Sequence, residues 1–240
     1  MSGAPYVDYI NNFYNTAGVR NEVGHPIGSF FGYQVIGYFE NADDVAKSPT
    51  QMDAAPGRFK YLDANHDGKI DVNDEVFIGN PNPSFTAGLN IGLTYKNFDF
   101  STFFYGSFGN DVMNEIKFGT GVNKNSLYKS WGQTSNPVAP IQEQSYNFSM
   151  WAAPNSYPIE KGTYIRNKSL MLGYTIPSQR MQKIGIDRFR FYVQVVNLFT
   201  ITSYTGLDPE LIGTSQAWGF DEGNYPNNQI QYLFGLSLAF

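Results

Sequence analysis

An acidic segment, YLDANHDGKIDVNDE at 61–75, holds the side chains of this sequence that are best suited to chemistry. With Asp63 as position one, oxygen-bearing side chains recur at nearly every second residue. A calcium ion takes about six to eight oxygen ligands, and an EF-hand loop supplies them from positions one, three, five, seven, nine and twelve. The spacing therefore predicts a calcium site formed by Asp63, Asn65, Asp67, the backbone carbonyl of Lys69, Asp71 and Asp74.

Two further residues of this loop fit the same pattern, and one departs from it. Gly68 stands sixth, where the chain must turn sharply, and Ile70 stands eighth, where an apolar side chain would anchor the loop. Position twelve is Asp74 rather than the usual bidentate Glu, so a weak site is expected because the shorter carboxylate reaches less far. The alternative is a turn rich in Asp and Asn that binds nothing, since these are also common turn residues.

The sequence offers little to a catalytic mechanism. Acid and base carboxylates need different environments, and one solvated loop provides only one. His25 and His66 are the two histidines, and neither stands in a metal-ligand or triad spacing. With no cysteine, the chain has no thiol nucleophile, thiolate metal site or disulfide framework. The prediction is that this chain is not an enzyme.

The composition indicates a β-rich protein with an apolar exterior. Charged residues make up 15% of the chain, against roughly 25% in ordinary soluble domains, while aromatic residues reach 17%. The formal net charge is −5, and basic residues are scattered, so nucleic acid is not an expected partner. The sequence contains no run of about 20 apolar residues, so no transmembrane helix is predicted. The polar residues after Met1 do not resemble a signal peptide.

Strong two-residue periodicity predicts long strands. Apolar and small polar residues alternate through 85–95, and a two-residue turn, Lys96-Asn97, leads into an aromatic row beginning at Phe98. Residues that flank such a turn pair and share one face of the sheet, so both apolar rows should lie together. The same alternation predicts further strands near 29–39, in TYIRNKSLMLGYTI and RFRFYVQVVNLFTI, and in the final IQYLFGLSLAF.

These strands favour a transmembrane β-barrel over a β-sandwich. They are longer than the roughly five or six residues typical of globular sheets, and their polar faces are small and neutral. Short and long connections alternate, as periplasmic turns and extracellular loops do in such barrels. The calcium loop is then expected outside the cell. Arg166 and Lys168 share the parity of the lipid-facing residues of their strand, where long side chains would reach the headgroups.

Several motifs in a fixed order resemble one family, the SusC/RagA-type TonB-dependent transporters. In residues 61–114, a D-x-N-x-D-G loop is followed by an I-G-N-P-x-P turn at 78–83, a strand pair, and G-N-D at 109–111. TYIRNKSLMLGYTIP, VQVVNLFTIT, YTGLDPE and the terminal Phe240 look like the closing strands of the same family. The resemblance covers roughly residues 28–240.

The resemblance implies an outer-membrane importer. In this family a barrel of about 22 strands, plugged by an N-terminal domain, imports oligosaccharides or peptides under a SusD-like surface lipoprotein and is driven by TonB. Residues 1–240 are then expected to be the C-terminal part of an all-β antiparallel barrel, with about six strands, long extracellular loops and outer-membrane lipid around it. The plug, TonB box and signal peptide are expected to be absent from this part.

One external loop is rich in aromatic residues, and one alternative function also fits this sequence. Loop 109–162 carries aromatic residues that would stack on sugar rings, contact the lipoprotein or pack within the loop, namely Trp131, Tyr146, Trp151 and Tyr157. The alternative function is a soluble, secreted, calcium-binding β-module for adhesion or carbohydrate binding. Solubility without detergent would favour that module.

Overall fold

The computed structural model describes residues 6–11, 17–115, 153–177, 185–211, 218–223 and 229–239. Nearly all of the regular structure in these ranges is antiparallel β. The elements are β1 (Tyr6–Asn11), β2 (Ala17–Glu22), β3 (Ser29–Tyr33), β4 (Val35–Tyr38), α1 (Ala42–Lys47), β5 (Phe59–Tyr61), a 3-10 turn (Val72–Asp74), β6 (Glu75–Gly79), β7 (Phe85–Tyr95), β8 (Phe98–Phe108), β9 (Asp111–Asn114), β10 (Ile159–Lys161), β11 (Tyr164–Ile176), β12 (Arg188–Thr202), β13 (Phe220–Asp221) and β14 (Gln231–Ala239). None of the described helices is long and apolar enough to cross a membrane.

Five strands form one large antiparallel sheet, called the wall below, in the order β14-β12-β11-β8-β7. The predicted hairpin is confirmed, since Tyr95 pairs with Phe98 across Lys96-Asn97. Lys96 takes the left-handed backbone conformation, with φ of 55°, that such a tight turn requires. The hairpin defines one end of the wall. The opposite end, where β8 stops at Phe108, is called the junction end.

One face of the wall is apolar and exposed, as the periodicity predicts. Leu93 is 62% exposed, Phe234 79% and Leu236 69%, although each lies in a regular strand. Leu93 and its cross-strand partner Phe100 share this face, as the hairpin register requires. A β-sandwich would cover such a row with a second sheet. The described part of the chain leaves it open, so this face needs an apolar environment from elsewhere.

The opposite, inner face of the wall carries a charged bridge close to the hairpin end. Arg190 on β12 donates two hydrogen bonds to Asp99 on β8, at 2.9 and 2.5 Å, across the intervening strand β11. Gly173 makes this crossing possible. A Cβ at that position would lie 2.5 Å from both the Asp99 carboxylate and Arg190 Nη2.

The predicted strand near 29–39 does not join the wall, so the estimate of about six wall strands is too high by one for the described residues. It is divided at Gln34 into β3, which belongs to the sheet β1-β2-β3-β6, and β4, which pairs with β5. The break has a physical cause. Tyr33 exchanges backbone hydrogen bonds with Pro154 and Ser156, at 2.8 and 3.0 Å, and this distant segment bends the chain out of line.

A β-bulge in β11 shifts the alternation of that strand. Asn167 pairs with Phe104 of β8 and Ser169 pairs with the adjacent Phe103, so Lys168 is an extra residue without a place in the ladder. Because side chains alternate with a period of two, one extra residue exchanges the two faces beyond it. The predicted lipid-facing position of Arg166 is therefore wrong, and Arg166 lies on the inner face.

The I-G-N-P-x-P and G-N-D motifs form one interlocked structure at the junction end. Asn80 N donates to Asp111 Oδ2 at 2.9 Å, and Asp111 N donates back to the carbonyl of Asn80 at 2.7 Å. Lys161 Nζ lies 2.8 Å from the other oxygen of Asp111. These contacts join β9, which closely follows the wall strand β8, to β10 and to the residue after β6. Two small apolar clusters pack around this region, one containing Phe59 and Tyr61 and the other containing Phe30 and Met113.

Candidate functional site

The acidic loop at 63–74 is held by an apolar anchor and a backbone bridge. Ile70 is 8% exposed and packs in the cluster with Phe59 and Tyr61, as its position in the loop predicts. Ile70 N donates to the carbonyl of Thr50, and Thr50 N donates to the carbonyl of Gly68, both at 2.9 Å. The loop is therefore fixed along its centre, while its polar side chains remain near the surface.

The first half of the loop is ordered by its own side-chain oxygens. Asp63 Oδ2 accepts from Gly68 N, Asn65 Oδ1 from Asp67 N, and Asp67 Oδ1 from Lys69 N, each at 2.9 Å. The bonds from Asn65 and Asp67 are Asx turns, in which a short amide or carboxylate accepts from the backbone N–H two residues ahead, while the bond from Asp63 spans five residues. Gly68 has φ of 83°, which explains the glycine at this position.

The second half is closed by Asp74, which is fully buried. Asp74 Oδ1 accepts from Ala64 N at 2.9 Å and Oδ2 accepts from Asp71 N at 2.8 Å, so one carboxylate ties both ends of the loop together. Burial, with the charges of Glu75, Asp71 and Asp74, raises the pKa of the nearby Tyr33 to about 12. The loop is thus a concentrated negative region.

The six predicted ligands share one loop, but their acidic groups mainly accept from backbone N–H groups. No group of three or more His, Cys, Asp or Glu side chains within the described residues is arranged to hold a metal. The calcium site therefore stays a prediction.

A buried ion-pair cluster on the inner face was missed at the sequence level. Arg166 has no exposed surface, donates from Nη2 to Asp208 at 2.5 Å and from Nε to Thr200 Oγ1 at 2.7 Å, and also binds Glu210. Lys168, at the bulge, lies 2.5 Å from Glu210. Two positive and two negative charges therefore balance. The signal in the sequence that could have indicated this cluster is the YTGLDPE motif, which contains its two acidic residues, Asp208 and Glu210.

The cluster anchors the segment 203–211, and other contacts complete the attachment. Tyr204 donates its hydroxyl to Asp221 at 2.6 Å, while Glu160 accepts from Thr205 N at 2.9 Å. Burial, followed by the hydrogen bond to Asp221, raises the pKa of Tyr204 far above its usual value, so the phenol remains a donor. The ion pairs act as a structural anchor rather than as a reactive site, because each charged group has a charged partner.

A cleft of about 460 Å³ opens beside the junction, within the roughly 300–1,000 Å³ range of ligand pockets. Its lining includes Gln34, Tyr38, Ile78, Asp111, Ser156, Tyr157 and the three residues of β10. Tyr38 and Tyr157 both pack on Phe59, with ring centroids 5.4 and 5.0 Å from its own. Burial raises the pKa of both tyrosines, so their hydroxyls stay neutral and can hydrogen-bond a ligand. Aromatic, amide and charged groups therefore meet in one open space.

Of the four aromatic residues proposed for loop 109–162, Tyr157 is the one that the structure describes, and it lines this cleft. Trp131, Tyr146 and Trp151 lie outside the described residues, as does the terminal Phe240.

Comparison with known proteins identifies relatives of one kind. TonB-dependent receptor P3 of Formosa agariphila is 31% identical over 90% of this chain and 22% of its own length. TonB-dependent receptor SusC of Bacteroides thetaiotaomicron is 28% identical over 97% of this chain and 21% of its own length. The structure of the RagAB peptide transporter superposes with a TM-score of 0.72 at 22% identity, covering 100% of this chain and 25% of that chain. No family model matches the sequence.

The chain is thus related to TonB-dependent receptors over most of its length, and it spans about a quarter or less of the relatives it matches. The resemblance and the predicted fold, a portion of an antiparallel outer-membrane barrel, are confirmed. The predicted place in the outer membrane is confirmed by the same relatives. Their names are those of receptors and transporters, which agrees with the prediction that the chain is not an enzyme.

Proposed function

We propose that this chain forms part of the barrel wall and of the external loops in a TonB-dependent outer-membrane importer. The observation that carries the proposal is the wall itself, with one exposed apolar face and an inner face that holds its charged bridge and ion-pair cluster. Lipid is the environment that such an outer face requires. The alternative, a soluble calcium-binding module, leaves that face in water.

Strand length and pairing support the same function. β7 and β8 have 11 residues each and β12 has 15, while about 9–11 tilted residues cross a bilayer. Among the described residues, strands β7 and β14 are the edges of the wall, and an unpaired edge is costly in hydrocarbon. We expect further strands of the importer to pair with both edges.

Cargo and partners are proposed from the relatives and from the resemblance. One relative is named SusC and one superposed structure is a peptide transporter. We infer that the importer carries oligosaccharides or peptides, that a SusD-like lipoprotein covers its outer opening, and that TonB acts through a part of the importer other than these residues.

The test is an in-frame deletion in the gene for this protein, made in the organism that carries it. Removing the codons for 85–239 in frame should abolish TonB-dependent uptake of the labelled cargo, and fractionation should place the intact product in the outer membrane. The parent strain with the intact gene is the matched control. Full uptake of oligosaccharides and peptides after the deletion, or an intact product that stays soluble without detergent, would refute the proposal.

We also propose that the loop at 63–74 binds calcium weakly. Its support is the ligand spacing, the left-handed Gly68 and the anchoring of Ile70. At the outer surface the ion would be available at millimolar concentration, which suits a site of modest affinity. Calcium would link the surface oxygens of the first half to the half closed by Asp74.

A further inference from the structure

The cleft beside the junction runs along the edge of a strand that, within the described residues, pairs on one side only. β10 is the outer strand of the sheet β10-β9-β13, and all three of its residues line the cleft. Successive residues of a strand point to opposite faces. A space that contacts three in a row therefore lies along the edge of the strand rather than over one face.

The hydrogen bonds of β10 show which backbone groups face that edge. Asn114 N donates to the carbonyl of Pro158, and Gly162 N donates to the carbonyl of Asn110, at 2.8 and 2.9 Å. In an antiparallel pair the bonded positions alternate, so the next bonded pair between these two is Glu160 with Val112. The N–H and C=O of Lys161, and the C=O of Ile159, therefore point away from β9.

Groups in this arrangement are complementary to an extended polypeptide, which can add a strand to a sheet edge through its own N–H and C=O groups. The remaining lining suits the side chains of a peptide, because it offers the rings of Tyr38 and Tyr157 and the amide of Gln34. A sugar has no regular row of alternating donors and acceptors at strand spacing.

We propose that this cleft binds a free peptide as an added strand on β10, and hence that peptides are cargo of the importer. The inference rests on the proposed import function and narrows its substrate class. Lys161 is the positioning residue through its backbone N–H and C=O rather than through its charge. The Lys161 side chain, which already pairs with Asp111, contributes less.

The test compares two substitutions at one position in the full-length importer, immobilised in detergent. Lys161→Pro removes the edge-facing N–H, and a proline is tolerated there because that N–H takes no part in the ladder with β9. Lys161→Ala keeps the backbone and removes the charge. The probes are a tryptic digest of casein and maltoheptaose, and the retained material is quantified by mass spectrometry.

We expect Lys161→Pro to retain about fivefold less casein peptide than wild type, which is the loss of roughly one hydrogen bond, and Lys161→Ala to stay within twofold. Equal retention by the two variants would overturn the proposal, as would retention of maltoheptaose without peptide. If Lys161→Pro instead releases a co-purifying lipoprotein and leaves peptide retention unchanged, the edge binds that partner and the proposal is wrong.

A second measurement avoids any change to the protein. The best-retained peptide is synthesised with a single N-methyl group at each position in turn and is offered to wild-type importer. Strand pairing requires losses at alternate positions, whereas a uniform effect would refute it. Uptake assays distinguish a failure of the peptide-site proposal from a failure of the import function. If the wild type imports cargo and the edge tests fail, only the peptide site is wrong; if wild-type cells import neither cargo, the import function is wrong.

Discussion

Replacing Arg166 with methionine tests the buried ion-pair cluster most directly. Arg166 has no exposed side-chain surface and Asp208 retains 5%, so the substitution would leave a buried carboxylate without its cation. Removing one partner of a buried pair typically costs about 3–5 kcal/mol. Lys168 binds the same Glu210, but the side chains of that pair are 27% and 28% exposed. A partly exposed pair contributes about 0–1 kcal/mol. We therefore expect Arg166→Met to lower the free energy of unfolding by several kcal/mol and Lys168→Met to lower it by less than about 1.

The assay is urea unfolding of the full-length protein in detergent, followed by circular dichroism and by the gel shift that distinguishes folded from unfolded barrels. Adding Asp208→Asn to Arg166→Met removes the uncompensated charge, and this double variant should regain about 1–3 kcal/mol over the single one. The reasoning is refuted if Arg166→Met and Lys168→Met have equal effects, or if Asp208→Asn destabilises the Arg166→Met protein further.

Three other predictions follow from contacts described above. Asp63→Ala should abolish the heat of calcium binding measured by calorimetry at millimolar calcium, whereas Asp43→Ala in α1 should not; no heat with the wild-type loop would contradict the calcium proposal. Gly173→Leu should separate Arg190 from Asp99 and destabilise the wall in the same urea assay, while Gly92→Ala, whose Cβ has nothing within 4 Å, should have little effect. Tyr33 should ionise near pH 12 instead of 10, so its contribution to stability is complete below pH 10 and is lost as the pH rises toward 12; a Tyr33→Phe protein with the same alkaline stability curve would exclude this contribution.

The wall was predictable where its sequence alternates without interruption. β7, β8, β12 and β14 keep one apolar row on one side, so period and parity alone assign their faces. β11 shows the limit of that reasoning. Its faces exchange at a bulge that no local residue type announces, and counting backward from Leu172 therefore placed Arg166 on the wrong side.

Contacts between distant segments account for the other differences. The break between β3 and β4 depends on pairing with 154–156, more than a hundred residues away, and the interlocking of Asn80 with Asp111 spans 31 positions. Within the acidic loop, spacing predicted the turn and its glycine. The spacing did not reveal that Asp74 would be buried with its carboxylate bonded back to the N-cap residue Asp71, because an EF-hand pattern and a capping box use the same residue types.

The extra residue at the bulge also bears on how this strand tolerates change over evolutionary time. Loss of one codon within β7 or β8 would turn the rest of the strand over, moving apolar side chains to the wrong side. Loss of the Lys168 codon would instead join Asn167 directly to Ser169, which already pair with neighbouring positions on β8. On β12, Asn167 and Ser169 pair with Phe199 and Val196, so the local losses would be the ion pair with Glu210 and part of the pairing with β12. We therefore expect length variants among homologues to be accepted at this position of β11 more readily than elsewhere in the wall.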